Sequence, residues 1–235
     1  MVTEQDTERW GKLRGQLSDG IVLDEWEAIY VPIPKVACTS LSTLFARMIS
    51  TKGDIPYVFE VPFKRVANRV IRKDYADYYV FAFVRNPWDR LLSCFLSKID
   101  PTEDDDGTFY RNGVEFNFWK YGDMFHSQMS FSDFVRATTS IPDEEADIHF
   151  SSQYRHLTDR HRNLVPDFIG RFESLAGDLE ELRSRMHMPK TAPPHKMKTE
   201  HKHYSHYYTE ETRALVEGRY PEDIELFGYR CEEKS

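Results

Sequence analysis

A strand-to-helix corner at residues 32–40, with the sequence PIPKVACTS, carries several groups that can bind an anion. Such a corner directs backbone N–H groups and the positive end of a helix dipole to one place. Lys35 adds a positive charge, and Thr39 and Ser40 add hydroxyl donors, while the small Ala37 permits close approach. The alternative is a plain helix cap beside a surface lysine.

This corner differs from the Walker A loop that binds ATP or GTP. The motif GxxxxGK[ST] has two glycines and places its lysine directly before the hydroxyl residue. Here the corner contains no glycine, and Lys35 precedes Thr39 by four positions. The sequence therefore disfavours a nucleotide kinase or NTPase, which stays open as a rival class.

A second corner, residues 84–93 with the sequence VRNPWDRLLS, places Arg85 before a helix and Ser93 within it. The planar guanidinium of Arg85 suits a phosphate, and the Ser93 hydroxyl can donate a second hydrogen bond. Two anion subsites on neighbouring corners suit a nucleotide that is phosphorylated at two places.

Both corners follow short apolar segments typical of buried strands. The first strand is predicted at Ala28–Val31 and is followed by a helix at Thr39–Ser50. The second is the apolar run Tyr78–Val84, after which Asn86 can cap a helix that reaches about Ile99. Each corner is therefore a strand-loop-helix unit.

The same alternation continues towards the C-terminus. The pattern predicts a strand at Phe168–Phe172, a helix at Leu175–Met186 and another near Thr209–Tyr220. We therefore expect an α/β fold of three layers, with a mainly parallel sheet, helices on both faces, and ligands bound beyond the carboxyl ends of the strands.

We expect one domain over residues 1–235, with an N-terminal extension at residues 1–25. The acidic, turn-rich segment at residues 100–113 is predicted to be an exposed loop.

The overall composition narrows the function classes. With a net charge of −8, nothing in the overall electrostatics suggests nucleic acid or an anionic membrane as a general partner, so a site for a polyanion must be locally basic. Three widely spaced cysteines argue against a disulfide framework, and no run approaches the ~18 apolar residues of a membrane span. These features predict a soluble protein in a reducing, cytoplasmic compartment.

The two corners also resemble known motifs. PKVACTS resembles the 5′-phosphosulfate loop, and FVRNPWDRLLSCF the 3′-phosphate motif, of the carbohydrate sulfotransferases that include the chondroitin and dermatan enzymes. Further similar segments follow in the same order, at residues 147–153, 169–173, 207–209 and 220–229. The resemblance extends over roughly residues 28–229.

This resemblance implies a P-loop-NTPase-like sulfotransferase fold and the donor 3′-phosphoadenosine 5′-phosphosulfate (PAPS), with no metal required. Lys35 would neutralise the bridging oxygen as the sulfuryl group leaves. The residues implied to contact the donor are Lys35, Val36, Ala37, Cys38, Thr39, Ser40, Arg85, Ser93, Lys198 and Thr199. Trp88 and Phe227 can stack on the adenine or belong to the core.

His149 is the candidate general base for an acceptor hydroxyl, because histidine is the commonest base at neutral pH. It lies in the segment DIHFSSQ, which resembles a His-aromatic-x-x-Gln element of the family. The alternative is a histidine that only hydrogen-bonds a neighbouring loop.

The histidine-rich segment at residues 195–206 is basic in an otherwise acidic chain. A loop that closes over the anionic donor is favoured over a metal site, because the segment lacks a framework of cysteines or carboxylates.

The acceptor is open at this point. The family implies a carbohydrate hydroxyl, but the membrane anchor and luminal cysteines common in the family are missing here, which indicates a soluble, bacterial-type relative. The alternatives are a small hydroxylated or amine metabolite as acceptor, or a non-catalytic nucleotide-binding module.

Overall fold

The structure of the protein is a computed structural model that describes residues 19–49, 63–100, 110–190 and 202–232. The strands are β1 (Gly20–Leu23), β2 (Ala28–Val31), β3 (Arg65–Val66), β4 (Tyr79–Val84), β5 (Tyr110–Arg111), β6 (Val114–Glu115) and β7 (Phe168–Arg171). The α-helices are α1 (Cys38–Ile49), α2 (Ile71–Asp74), α3 (Pro87–Lys98), α4 (Phe131–Ser140), α5 (Tyr154–Leu157), α6 (Leu175–Met186), α7 (Glu210–Arg219) and α8 (Pro221–Phe227).

Short 3-10 helices connect several of these elements, at Asp24–Trp26, Asn68–Val70, Phe116–Met124, Phe172–Ser174 and Tyr204–His206.

The chain divides into two compact units. The first contains the described residues of Met1–Arg85 and Gln153–Lys198, and the second those of Asn86–Ser152 and Thr199–Ser235. The chain therefore leaves the first unit directly after Arg85 and returns to it at Gln153. The predicted organisation as one domain stays a prediction.

The first unit contains a five-stranded sheet with the order β3-β1-β2-β4-β7. β4 pairs in parallel with β2 on one side and with β7 on the other. β1 is antiparallel to both β2 and β3. The sheet is therefore mixed, with its parallel pairs at the two strands that lead into the predicted corners.

Apolar side chains explain why these strands lie at the centre of the first unit. All four residues of β2, and the last five of β4, are buried. Tyr30 of β2 and Phe81 of β4 pack against Phe45 of α1, with ring centroids 5.2 Å and 5.6 Å from that of Phe45. Burying such aromatic rings stabilises the sheet-helix contact through both area and ring geometry.

The second unit has an aromatic core. Asn86 caps α3, because its side chain accepts a hydrogen bond from the Trp88 N–H at 3.1 Å, and Pro87 occupies the first turn. Trp88 is buried in this core with Phe118, Phe134 and others from α3, α4 and the 3-10 helix at Phe116–Met124. A two-stranded antiparallel ribbon of β5 and β6 completes the unit.

Most of the predicted elements are confirmed, with boundaries within one or two residues. Ala28–Val31 is β2, Tyr79–Val84 is β4, and Phe168–Arg171 is β7. The helix predicted at Thr39–Ser50 runs from Cys38 to Ile49, and Ser50 lies outside the described residues.

One strand, which the sequence did not predict, lies within residues 1–25, the predicted N-terminal extension. Gly20–Leu23 forms β1, all of whose residues are buried. Only residues 24–27 separate it from β2, and so short a connection permits an antiparallel pair but no parallel crossover. The fold is therefore α/β with a mixed sheet; the three-layer, mainly parallel arrangement stays a prediction.

The segment at residues 100–113 was predicted to be an exposed loop, and residues 101–109 of it lie outside the described residues. At its end, Tyr110 and Arg111 pair with Glu115 and Val114 as β5 and β6. None of the helices in the described ranges has the length and apolar character that crossing a membrane requires.

Candidate functional site

The loop between β2 and α1 has an unusual backbone. Lys35 and Ala37 adopt φ values of +68° and +51°, in the left-handed region that glycine usually occupies. For residues with a side chain this conformation costs about 1–2 kcal/mol each. Strained backbone of this kind often occurs at ligand sites, and in this loop two residues other than glycine adopt it.

The start of α1 adds donors to this loop. Leu41 donates to the Ala37 carbonyl at 2.9 Å, so the amides of residues 38–40 precede the first hydrogen bond within the helix. Thr39 and Ser40 are half-buried in this first turn. The Val36 N–H donates to the Ile33 carbonyl at 3.2 Å and thereby closes the turn. The helix start is thus the part of the corner best suited to an anion.

Arg85 connects the second corner to this loop. It follows the last residue of β4, and its Nη1 donates a hydrogen bond to the Lys35 carbonyl oxygen at 3.1 Å. Its guanidinium carbon also lies 4.0 Å from the centroid of the Phe172 ring. The parallel pairing of β2 with β4 explains the proximity, because the carboxyl ends of adjacent parallel strands lie at the same sheet edge.

The backbone of Arg85 is bound by Gln153, a fully buried residue. Oε1 of Gln153 accepts from the Arg85 N–H at 2.9 Å, and its Nε2 donates to the Arg85 carbonyl at 2.8 Å. Lys35, Arg85, Phe172 and Gln153 therefore form one set of contacts within the first unit.

In the second unit, His149 is paired with a carboxylate. Its Nδ1 lies 2.5 Å from Oδ1 of Asp147, and the same oxygen accepts from the His149 N–H at 3.1 Å. The Asp147 side chain is 4% exposed and that of His149 is 13% exposed. A carboxylate at Nδ1 holds the ring in one orientation and favours the tautomer with its proton on Nδ1.

Residues 147–152, which we call the His149 segment, are held by the helix that follows Arg85. The buried Arg90 of α3 donates to the Ser151 carbonyl at 2.7 Å and to the Ile148 carbonyl at 3.1 Å. The Tyr220 hydroxyl donates to the Phe150 carbonyl at 2.7 Å. Burial lowers the pKa of Arg90 from its ordinary value. The backbone on both sides of His149 is thus tied to buried donors.

The ion pair of Asp143 with Arg219 holds the end of the His149 segment at Ser152. Asp143 accepts from the Ser152 N–H at 2.9 Å and from Arg219 Nη2 at 2.8 Å. Burial raises the pKa of Asp143, but the hydrogen bond from Ser152 and the charge of Arg219 outweigh it, so the pKa lies below its ordinary value.

Three further predicted donor contacts are Ser93, Lys198 and Thr199. Ser93 is half-buried on α3 in the second unit, and Lys198 and Thr199 lie outside the described residues. Trp88 and Phe227 are buried in the second unit at 2% and 6% exposure, which agrees with a role in the core.

Of the histidine-rich segment, residues 202–206 are described. His203 contacts Ser205 through Nδ1 and Glu232 through Nε2, at 2.8 Å and 3.1 Å. Across the ranges that the structure covers, no group of three or more His, Cys, Asp or Glu residues is placed to hold a metal ion.

Sequence reasoning assigned no role to Asp147, Gln153 or Arg90. All three stand inside segments that it had singled out, DIHFSSQ and RNPWDRLLS. The carboxylate two residues before a candidate base was a usable signal. By contrast, no local pattern indicates that a glutamine binds a backbone 68 positions away.

Comparison with known proteins places this geometry in a family. A sequence profile of the sulfotransferase family matches residues 19–230. Carbohydrate sulfotransferase 14 of Danio rerio is 25% identical over 236 residues, which cover 89% of this chain and 61% of that protein. Carbohydrate sulfotransferase 12 of Xenopus laevis is 26% identical over 215 residues, covering 74% of this chain and 49% of that protein.

An uncharacterized protein of Archaeoglobus fulgidus is 27% identical over 131 residues, covering 55% of this chain and 84% of that protein. The chain thus spans about half to three fifths of the carbohydrate sulfotransferases that it matches. No solved structure gives a significant match. Because the profile covers nearly all of the described residues and both corners, the chain belongs to the sulfotransferase family.

Proposed function

We propose that the protein transfers a sulfuryl group from PAPS to an acceptor hydroxyl, and that the acceptor is a carbohydrate. The observation that carries this proposal is the hydrogen bond from Arg85 Nη1 to the Lys35 carbonyl. It links Arg85 of the second corner to the Lys35 loop of the first, and this supports a donor with phosphate groups at both its 5′ and 3′ positions.

The donor roles follow from the chemistry of each group. The start of α1, with Thr39 and Ser40, supplies N–H and O–H donors to the 5′-phosphosulfate. Lys35 places a mobile positive charge at the same loop, and Arg85 supplies a planar guanidinium for the 3′-phosphate. In this proposal Val36, Ala37 and Cys38 contribute backbone contacts, while Ser93, Lys198 and Thr199 are further donor contacts.

The transfer step needs one bond formed, one bond broken and one proton moved. The acceptor hydroxyl oxygen forms a bond to sulfur as the bond from sulfur to the bridging phosphate oxygen breaks. His149 accepts the hydroxyl proton, and Lys35 stabilises the negative charge that develops on the bridging oxygen. The protein's work is therefore positioning and charge stabilisation.

The carbohydrate acceptor is supported by the printed names of the two vertebrate relatives, both carbohydrate sulfotransferases. A small hydroxylated or amine metabolite is the alternative acceptor class. A screen with PAPS against oligosaccharides, small alcohols and amines, read by mass spectrometry, separates them. We expect sulfated oligosaccharide as the product. We also expect the same yield in the presence of EDTA, because Lys35 neutralises the charge on the leaving phosphate.

Binding of 3′-phosphoadenosine 5′-phosphate, measured by calorimetry, tests the donor site. Lys35→Ala and Arg85→Ala each remove a charged partner of a phosphate and should weaken binding about 10- to 100-fold. The exposed Lys190 and Arg185 form ion pairs with Glu180 and Glu181 respectively, and their alanine variants serve as charge-matched controls. Normal affinity in both site variants would refute the donor assignment.

A non-catalytic nucleotide-binding module is the remaining rival. It would bind 3′-phosphoadenosine 5′-phosphate with the same dependence on Lys35 and Arg85, yet transfer nothing in the acceptor screen. The pairing of His149 with Asp147 favours the enzyme, because a bare binding module has no use for an oriented imidazole. The cytoplasmic location stays a prediction.

A further inference from the structure

The side-chain amide of Gln153 binds Arg85 at both ends of that residue's backbone. It accepts from the Arg85 N–H at 2.9 Å and donates to the Arg85 carbonyl at 2.8 Å. Gln153 has no exposed surface, so these hydrogen bonds do not compete with solvent. Both functional groups of the glutamine therefore act on a single residue.

The position of Arg85 explains why its backbone needs the Gln153 amide as a partner. The last pair of the β4–β7 ladder joins Val84 to Arg171, so Arg85 lies one residue beyond the sheet pairing. A primary amide offers the same donor and acceptor as a peptide unit. Gln153 thus continues backbone hydrogen bonding past the strand end, at a point where buried N–H and C=O groups need partners.

The guanidinium of Arg85 has its own two supports in the first unit. Nη1 donates to the Lys35 carbonyl at 3.1 Å, and the guanidinium carbon lies 4.0 Å from the Phe172 ring centroid. Contacts at the guanidinium fix the position of the Arg85 side chain only if the backbone at its Cα is held as well. Gln153 supplies that second constraint.

We propose that Gln153 is a positioning residue that sets the protein's affinity for the 3′-phosphate of the donor by fixing the backbone of Arg85. The inference rests on the proposed function, because it assumes that Arg85 binds the 3′-phosphate. It also explains the choice of side chain, since leucine has neither hydrogen-bonding group and asparagine is one methylene shorter.

Two ligands that differ only near the 3′ position separate positioning from general structural damage. Dissociation constants are measured by calorimetry for 3′-phosphoadenosine 5′-phosphate and, by competition, for adenosine 5′-monophosphate, which is the same molecule without the 3′-phosphate. We expect Gln153→Leu to weaken binding of the first about 10-fold and to change that of the second less than about twofold. An equal loss for both ligands would overturn the proposal, and so would no loss for either.

The double variant Arg85→Ala/Gln153→Leu gives an independent test. If Gln153 acts through Arg85, the double variant should bind 3′-phosphoadenosine 5′-phosphate no more weakly than Arg85→Ala alone. Additive losses would show that Gln153 acts by another route and would overturn the proposal.

The controls address folding and the parent proposal. Asn68→Leu removes another side-chain amide of the first unit, which donates to the His156 carbonyl at 2.7 Å, and should leave both affinities unchanged. If Gln153→Leu does not fold, Gln153→Asn takes its place with the same expected selectivity. Wild-type protein that binds neither ligand would refute the proposed function, whereas wild-type binding with an unaffected Gln153 variant refutes only the positioning role.

Discussion

The Nδ1 atom of His149 lies 2.5 Å from Oδ1 of the buried Asp147, two residues earlier in the chain. The carboxylate also accepts from the His149 N–H, so one oxygen orients both the ring and its backbone. With Nδ1 protonated, the neutral ring carries its lone pair on Nε2, the atom that would accept a proton from the acceptor hydroxyl.

This pair predicts a loss of turnover without loss of donor binding. His149→Ala should lower kcat about 10²-fold or more, the usual contribution of a general base, and remove the part of the pH dependence of kcat that the imidazole contributes. Asp147→Asn should lower kcat less, because the base remains but its tautomer is no longer favoured. Steady-state kinetics over a pH series measures both effects, and full turnover in His149→Ala with an unchanged pH profile would show that another group is the base.

The left-handed backbone of Ala37 predicts a difference between two small substitutions. Ala37→Gly should change stability by less than about 1 kcal/mol, because relief of strain offsets the greater freedom of glycine in the unfolded chain. Ala37→Val should cost about 2 kcal/mol and weaken donor binding, because a β-branched residue strongly disfavours φ near +51°.

Urea unfolding and calorimetry measure both quantities for these variants. Ala67, with φ −63° and ψ 132°, is the matched control, because valine adopts that extended conformation readily. If Ala37→Val and Ala67→Val changed the free energy of unfolding and the donor affinity equally, strain at Ala37 would not be the cause.

Substitution of Arg90 should impair catalysis more than it impairs donor binding. Its two donors reach the carbonyls of Ile148 and Ser151, on either side of His149, and an ammonium group cannot reproduce the planar fork. Arg90→Lys should therefore lower kcat more than tenfold, since small displacements of a base are costly, and change donor affinity less than about threefold. Parallel losses of kcat and donor affinity would indicate general damage to α3 instead.

The pair of Asp143 with Arg219 predicts how stability depends on pH. The folded-state pKa of Asp143 lies below the ordinary value of 3.8, so its contribution is fully present above that value and is lost as the pH falls through the folded-state pKa. At pH 7, Asp143→Asn should lower the free energy of unfolding by about 2 kcal/mol, less than for a fully buried pair.

Urea titrations from pH 7 downwards should show the difference between wild type and Asp143→Asn shrinking below about pH 4. The exposed pair of Glu181 with Arg185 is the control, because Glu181→Gln should cost less than about 0.5 kcal/mol. A difference for Asp143→Asn that is constant with pH would mean that the charge of Asp143 is not the stabilising feature.

Local patterns in the chain were enough to predict the two corners and their elements. The apolar run before Arg85, the cap at Asn86 and the proline after it are all neighbours in sequence, and they appear in the structure as β4 and α3. β1 was missed because its four residues lie within a polar N-terminal stretch and gain their partners from β2 and β3.

The candidate site was predictable to a different extent. Lys35, Arg85 and His149 are recognisable by residue type and motif, since the charge and hydrogen-bonding capacity of a side chain are written in the sequence. The partner of His149 is two residues away, but those of Arg85 are distant in sequence, 50 positions for Lys35 and 68 for Gln153. Residue types and short-range periodicity thus determined which reactive and charged side chains are present and which strands and helices hold them. Strand pairing and side-chain packing decided which groups meet, because the free energy of those contacts comes from residues far apart in the chain.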